Sequence, residues 1–180
     1  MAQLKNLRIG ILGGSFDPAH RGHLLISKIA IKKIRLKKIY WVVTKKNPLK
    51  TRAFYSLNER IKQAKKLTKK IKKIEVVYLD DIIKSSKSIK VIQYILEKKR
   101  PKDLYFIIGS DILLKLHKWH SWKKIVKLTK LVVFSREGYD RNSKKTVVVK
   151  YSNKNNIIFI KNRPIKVSST LLRKRIKRQN

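Results

Sequence analysis

Short apolar runs alternate with longer amphipathic segments along this chain of 180 residues. The run from Leu7 to Leu12 stops at two glycines, which is typical of a buried strand that leads into a tight turn. From Gly22 to about Lys33, apolar residues recur at helical spacing with lysines on the other positions. A second apolar run follows from Ile39 to Thr44. The order strand, helix, strand predicts a crossover unit with two parallel strands.

The same alternation continues to the end of the chain. A helical or turn-rich stretch is expected between the strand ending at Ile108 and the strand beginning at Leu131. The remaining predicted elements are helices over Ser56 to Lys73, Lys87 to Lys99 (ended by Pro101) and Leu171 to Lys177 (after the cap signal Ser168-Ser169), and strands over Glu75 to Leu79, Leu104 to Ile108, Leu131 to Ser135 and Asn156 to Ile160. This order predicts an α/β fold with a doubly wound parallel sheet, one domain over residues 1–180 and a short C-terminal helix.

Composition favours a globular protein of one domain, because hydrophobic residues make up 42% of the chain and charged residues 32%. Cysteine is absent, which excludes a disulfide framework and a cysteine-based zinc site. No apolar run has the length of about 20 residues that a membrane span needs, and the first residues lack a signal-peptide pattern. We therefore expect a cytoplasmic protein without membrane contact, whose oligomeric state the sequence leaves open.

The net charge of +38 suggests a polyanionic partner such as RNA, DNA or an acidic membrane surface. The lysines are spread over every segment, however, whereas a binding footprint clusters on one face or helix. We therefore expect no specific nucleic acid as a partner. A basic nucleic-acid-binding module remains the alternative from a different functional class.

The most informative stretch is GGSFDPAHRGHL, from Gly13 to Leu24, which follows the first predicted strand. Two glycines at this place let the backbone turn and leave no side chain between the main chain and an incoming phosphate. Ser15 and Phe16 extend the loop. The stretch therefore predicts a phosphate-binding loop that includes Gly13, Gly14, Ser15 and Phe16.

Two histidines stand three residues apart where the first helix begins, so both rings are expected on one face near backbone N–H groups that favour an anion. Gly22 between His20 and His23 keeps access open. Two imidazoles at that place can donate hydrogen bonds to phosphate oxygens and stabilise the charge that builds as an α-phosphorus is attacked. A purely structural alternative is that the pair caps the helix.

The string GGSFDPAHRGHL resembles the signature of the bacterial nicotinate-nucleotide adenylyltransferases, in the nucleotidyltransferase superfamily marked by the motif H-x-G-H. The resemblance covers almost the whole chain through Asn47 to Lys50, Arg60 with Ala64, Gly109-Ser110-Asp111, Trp119 with Trp122, and Val167 to Arg173. It implies a Rossmann-like nucleotidyltransferase fold. It also implies adenylyl transfer from ATP to nicotinate mononucleotide, which yields deamido-NAD and pyrophosphate in NAD biosynthesis, with Mg²⁺ accompanying ATP.

The resemblance also implies roles for residues that hold ATP. The string from Val167 to Arg173 is similar to the family pattern I-S-S-T-x-x-R, so Ser169, Thr170 and Arg173 are implied to hold the phosphates. A helix N-terminus rich in Ser and Thr, followed by an arginine, is physically suited to an anion, although simple helix capping explains the hydroxyls equally well. Gly109 and Asp111 follow a predicted parallel strand, at the edge where such sheets bind ligands.

Asp111 is expected either to accept hydrogen bonds from ribose hydroxyls or to cap the next helix. The family usually reads G-A-D here, so Ser110 departs from the pattern. For the mononucleotide, a tryptophan at position 119 is implied to stack on the pyridine ring, while Trp122 is a candidate for packing. The residues implied at the mononucleotide are Lys50, Ser88, Trp119, His120 and Arg136.

Three other activities would require different residues at this site. A nicotinamide-mononucleotide adenylyltransferase is the nearest alternative, because one or two pocket groups decide between a carboxylate and a carboxamide. A phosphopantetheine adenylyltransferase is disfavoured, since its signature reads T-x-x-G-H where this chain has His20. A dinucleotide-binding dehydrogenase is excluded, because GGSFDP lacks the spacing G-x-G-x-x-G. No metal site built by protein side chains is predicted.

Overall fold

Six parallel strands form one sheet in the computed structural model, which describes residues 7–45, 53–162 and 167–177. The strands are Arg8–Gly14 (β1), Lys38–Val43 (β2), Ile74–Val77 (β3), Asp103–Gly109 (β4), Lys130–Phe134 (β5) and Ile157–Ile160 (β6). Their order is β3-β2-β1-β4-β5-β6, and all neighbouring pairs are parallel. The chain therefore winds outward from β1 to β3 and then returns to β4 beside β1, which confirms the predicted doubly wound sheet.

Helices cover both faces of the sheet. They are Arg21–Ile34 (α1), Leu57–Thr68 (α2), Ser88–Lys99 (α3), Ser110–Leu113 (α4), Trp122–Leu128 (α5), Asp140–Ser143 (α6), Val147–Tyr151 (α7) and Ser169–Lys177 (α8). One face packs against α1 and α2, and the other packs against α3, α4, α5 and α7. Among the helices of the described residues, none combines the length and the apolar character needed to cross a bilayer.

Alternation along β1 shows why two cores form. Ile9 and Ile11 join the core under α3, whereas Leu12 joins the core under α1. Between them, Gly10 allows close packing, because a Cβ there would lie 2.9 Å from Leu36 Cδ1. Side chains of a strand point to opposite faces in turn, so a strand buried on both faces is apolar at nearly every position.

The predicted ends of β1 and α2 are wrong. Gly13 and Gly14 are the last residues of β1, paired with Val42 and Val43, and they do not form the turn. The turn falls on residues 15–18, where Phe16 has a positive φ of 45°. Helix α2 was predicted to reach residue 73, but it ends at Thr68. The chain turns after Thr68 and enters β3 at residue 74.

The segment between β5 and β6 contains two short helices, α6 and α7, that were not predicted. Four or five residues are too few to show a helical period in the sequence. Thr146 nevertheless caps α7, since its hydroxyl accepts a hydrogen bond from the Val149 N–H. The helices continue the layer that contains α3 and α5.

A buried arginine joins three segments at the carboxyl edge of the sheet. Arg60, on α2, is 2% exposed. Its guanidinium donates hydrogen bonds to backbone carbonyls of the turn after β1, the end of β2 and the segment before α2, namely Ser15 (2.7 Å), Thr44 (2.7 Å), Lys45 (3.2 Å) and Tyr55 (3.2 Å). Burial lowers the pKa of Arg60, and the carboxylates of Asp17 and Asp80 oppose that shift. Arg60 thus fixes the loop that carries the two histidines.

Replacing Arg60 by Met should lower the free energy of unfolding by about 3–5 kcal/mol, because four backbone carbonyls would lose their donor and the carboxylates of Asp17 and Asp80 would lose a nearby cation. Urea denaturation of the purified variant measures this loss. Lys62→Met, an exposed position on the same helix, is the control and should change stability by less than about 0.5 kcal/mol. Equal stability of the two variants would contradict the role given to Arg60.

Candidate active site

His20 and His23 cap α1 reciprocally. The Nδ1 atom of His20 accepts a hydrogen bond from the Gly22 N–H at 3.1 Å, and His23 Nδ1 accepts one from the His20 N–H at 3.2 Å. The two ring centroids are 3.8 Å apart. Because each Nδ1 is an acceptor, each neutral ring carries its proton on Nε2. Capping and phosphate binding are therefore compatible: in each ring Nδ1 caps the helix, and Nε2 carries the hydrogen that can be donated.

His20 is neutral at physiological pH. Burial lowers its pKa from 6.5 to about 4, and the Arg136 cation contributes in the same direction. The side chain is 7% exposed. His20 therefore acts as a neutral hydrogen-bond donor, not as an imidazolium.

The ring of Phe16 points away from the predicted phosphate-binding loop. Its ring is 1% exposed and lies in the core, stacked on Trp41 with ring centroids 5.0 Å apart. The ring of His23 packs against it at 4.8 Å. The Phe16 ring therefore packs against His23 and links it to the core.

A cavity of about 220 Å³ lies at the carboxyl ends of β1, β4 and β5. It brings together His20, Gly22, His23, Gly109 and Arg136 from the predicted site. The rest of its wall is formed by Ile26, Phe134, Ser135, Glu137, Tyr139 and Val167. The cavity thus stands where the winding of the sheet reverses, which is the usual ligand position in this architecture.

The C-terminal helix α8 is bound to the opening loop. The hydroxyl of Ser169 donates a hydrogen bond to the Pro18 carbonyl at 3.0 Å. Arg173 donates to the Asp17 carbonyl and lies 3.5 Å from the Asp17 carboxylate. Its second terminal nitrogen donates to the Thr170 hydroxyl at 3.1 Å. Residues more than 150 positions apart in the chain therefore meet at the entrance to α1.

Asp17 organises this junction. It is 1% exposed, and its carboxylate accepts hydrogen bonds from the backbone N–H groups of Phe54 and Tyr55 at 3.0 and 2.9 Å. Ser168 caps α8, because its hydroxyl accepts a hydrogen bond from the Leu171 N–H. The capping alternative therefore holds for Ser168, whereas Ser169 and Arg173 make tertiary contacts.

The strand end at Gly109 packs closely against two side chains of the site. A Cβ on Gly109 would overlap Asp111 Oδ1 and would lie 3.3 Å from Arg136 Cγ. Asp111 Oδ1 is 3.5 Å from Arg136 Nε, and it is buried without a hydrogen-bond partner among the described residues. A buried acceptor in this state suits a hydroxyl donor from a ligand.

Two of the remaining mononucleotide candidates, Trp119 and Ser88, lie on the opposite face of the sheet from α1. Trp119 is half-buried and packs edge-to-face on Phe106, with centroids 6.3 Å apart. Ser88 begins α3 in the same layer. His120 is exposed in the turn before α5, and Lys50 lies outside the described residues.

Trp122 packs edge-to-face against Tyr151 at 5.1 Å. The structure thus gives Trp122 a packing partner in α7, as expected for the second tryptophan.

Several groups that shape the site were not among the predicted site residues. Arg60 and Asp17 are the main ones, and each had a signal in the sequence. Arg60 interrupts an apolar stripe of α2 next to Ile61 and Ala64, a position where an arginine must find buried partners. Asp17 lies in the recognised string, but its backbone partners at 54 and 55 are visible only in the folded chain.

The depressed pKa of His20 makes a testable contribution to stability. Since the folded protein binds this proton more weakly than the unfolded chain, the contribution is full above pH 6.5 and is lost as the pH falls toward 4. His20→Asn retains a capping acceptor but does not titrate. Between pH 6.5 and 4, its free energy of unfolding should fall less than that of the wild type in urea denaturation. Parallel curves would show that His20 is not the titrating group.

Comparison with known proteins agrees with this geometry. The model of the cytidylyltransferase-like family matches residues 11–175. A probable nicotinate-nucleotide adenylyltransferase of Pelagibacter ubique (strain HTCC1062) is 46% identical over 170 residues, which cover 94% of each chain. One from Aquifex aeolicus (strain VF5) is 32% identical over 164 residues, covering 89% of this chain and 98% of the relative.

Solved structures show the same fold at low sequence identity. Plasmodium falciparum nicotinic acid mononucleotide adenylyltransferase complexed with NaAD superposes with a TM-score of 0.77 at 19% identity, covering 94% of this chain and 83% of that one. A putative nicotinate-nucleotide adenylyltransferase from Vibrio parahaemolyticus gives 0.67 at 15% identity, with coverage of 97% and 89%. The predicted nucleotidyltransferase fold is therefore confirmed. The chain belongs to the cytidylyltransferase-like family and, within it, to the nicotinate-nucleotide adenylyltransferases.

Proposed function

We propose that this protein transfers the adenylyl group of ATP to nicotinate mononucleotide, giving deamido-NAD and pyrophosphate in NAD biosynthesis. One observation carries the proposal: the histidine pair after β1 and the Ser169–Arg173 segment of α8 meet at one loop. The names of the curated relatives and the NaAD complex of a structural neighbour support the same substrates.

The two halves of the site fit two nucleotides. The α1 side of the sheet presents the two imidazoles, the α8 N-terminus and Arg136, which together suit a triphosphate. The α3 and α5 side presents Trp119, an aromatic surface suited to a pyridine ring. Asp111 follows β4, the strand beside β1, and offers an acceptor for a ribose hydroxyl.

The reaction is an in-line displacement at the α-phosphorus of ATP. An oxygen of the mononucleotide phosphate forms the new bond to phosphorus, and the bond from that phosphorus to the β-phosphate bridging oxygen breaks. The electron pair of the broken bond leaves with pyrophosphate. The Nε2–H groups of His20 and His23 stabilise the charge that grows on the phosphate oxygens during this step.

The α8 segment holds the leaving group. Its N-terminal amides and the Arg173 guanidinium are oriented by the contacts with Asp17 and Pro18. Because Arg173 is held by Asp17, its cation stays beside the loop with little loss of freedom when the phosphates bind. Pyrophosphate then dissociates from these groups of α8.

Magnesium is proposed to arrive with ATP. Within residues 7–45, 53–162 and 167–177, no group of three or more carboxylate, imidazole or thiol side chains stands ready to hold a metal. Mg²⁺ is commonly bound by substrate phosphates and water with few protein ligands, which fits this donor set. The ion would neutralise charge on the phosphates.

The cytoplasm remains the proposed location, and nucleic acid is not proposed as a partner.

Pyrophosphate release with ATP and each mononucleotide in turn tests the substrate. We expect kcat/KM for nicotinate mononucleotide to exceed that for nicotinamide mononucleotide by at least about tenfold, since one carboxylate contact separates the two acceptors. A reversed preference would assign the carboxamide substrate. Salt-dependent RNA binding without any turnover would instead favour the nucleic-acid-binding alternative.

Two substitutions at position 20 separate capping from catalysis. His20→Asn keeps a cap acceptor and should retain stability within about 0.5 kcal/mol, whereas His20→Ala should lose about 1 kcal/mol. Both remove the Nε2–H donor, so both should lower kcat by at least about a hundredfold. Steady-state kinetics and thermal melting measure the two effects. Full activity of His20→Asn would refute the proposed role of His20.

A further inference from the structure

The turn after β5 is attached to the end of β4 through the backbone of Arg136, whose carbonyl accepts a hydrogen bond from the Ser110 hydroxyl at 3.5 Å. The Arg136 N–H donates to the Ser110 hydroxyl at 2.9 Å and to Asp140 Oδ1 at 3.0 Å. Ser110 is 1% exposed and begins α4, and Asp140 begins α6. Two acceptors on two different elements therefore share one donor.

Asp140 and Ser110 also interact with each other. Burial raises the pKa of Asp140, but hydrogen bonds from the Ser110 hydroxyl, the Arg136 N–H and the Ser135 hydroxyl lower it further, so the net shift is downward. The carboxylate is thus held in its charged form by the groups it binds. Ser143, at the end of α6, completes the turn by donating to the Asp140 carbonyl at 2.8 Å.

The residue fixed by this arrangement lies in the active site. Arg136 lines the cavity with His20 and His23, and its Nε is 3.5 Å from Asp111 Oδ1. Its side chain is 51% exposed, so packing restrains it only in part. A long, exposed arginine loses rotamer freedom when it binds an anion, and a fixed backbone origin reduces that loss.

We propose that Ser110 and Asp140 are positioning residues that anchor the backbone of Arg136 and so aim its guanidinium at the phosphates in the nucleotide cavity. The inference rests on the proposed function, because it assigns a phosphate to that cavity. It adds two residues that touch neither substrate. Ser110 also gains a reason to stand where the family usually has alanine: its hydroxyl makes this anchor.

The shared donor gives a distinctive expectation. Either acceptor can hold the Arg136 N–H alone, so Ser110→Ala and Asp140→Ala should each lower kcat/KM for ATP by only about threefold. The double variant leaves the N–H without either acceptor and should lose at least about thirtyfold, more than the product of the single effects. Asp140→Asn keeps an acceptor oxygen and should stay near wild-type activity.

An Arg136→Met background distinguishes positioning from general loosening. If Ser110 and Asp140 act through Arg136, their substitution should change kcat/KM by less than about twofold once the guanidinium is gone. Asp103→Asn is the matched control: Asp103 binds Lys130 at the opposite edge of the sheet and should leave KM unchanged. Thermal melting accompanies each variant. If the double variant does not fold, each single variant in the Arg136→Met background supplies the comparison.

Equal losses in the wild-type and Arg136→Met backgrounds would overturn the inference, as would single effects that simply multiply. Equilibrium binding of ATP alone, measured by calorimetry, provides a second readout that does not depend on the acceptor. Wild-type turnover with nicotinate mononucleotide tests the proposed function separately. Suppose the double variant loses more ATP affinity than the two single variants combined, but the wild type does not turn over nicotinate mononucleotide. This result would support the anchoring of Arg136 and would refute only the proposed substrate.

Discussion

The hydrogen bonds of the buried Arg60 guanidinium are the constraint on which the rest of the site depends. They join the turn after β1, the end of β2 and the segment before α2. Asp17, in the same turn, receives the N–H groups of residues 54 and 55 on one side and Arg173 on the other. A buried cation with carboxylates nearby therefore holds the loop at a fixed place before any substrate binds.

From that fixed loop the chemistry of the histidines follows. The helix termini of a protein leave N–H groups that need acceptors, and here imidazole Nδ1 atoms supply them. The same bonds determine the tautomer, which leaves Nε2–H groups for phosphate oxygens. Burial lowers the pKa of His20, so in the proposed mechanism its ring stabilises phosphate charge as an oriented donor and not as a cation. In each histidine, Nδ1 thus has the structural role of capping α1, and Nε2 has the proposed chemical role.

The reversal of winding between β1 and β4 explains how one small domain accommodates two nucleotides. The two strands are neighbours, yet the helices that follow them cover opposite faces, so loops from both faces reach the same edge. α8 then returns to this edge and contacts Pro18 and Asp17. In the proposed reaction, ATP and the mononucleotide would bind from different layers and meet at the strand ends.

The sequence by itself determined the class of fold, the strand and helix order, and the string from Gly13 to Leu24, because hydrophobic periodicity and local motif spacing are properties of neighbouring residues. The sequence did not predict that α2 ends at Thr68, and it did not predict the short helices α6 and α7. These features depend on where the following strands, β3 and β6, start. Only the tertiary structure decided that the Phe16 ring supports His23, that Asp17 holds Arg173, and that Arg136 lies with the histidines. These contacts join residues far apart in the chain, and their partners are selected by packing and burial, which no local pattern encodes.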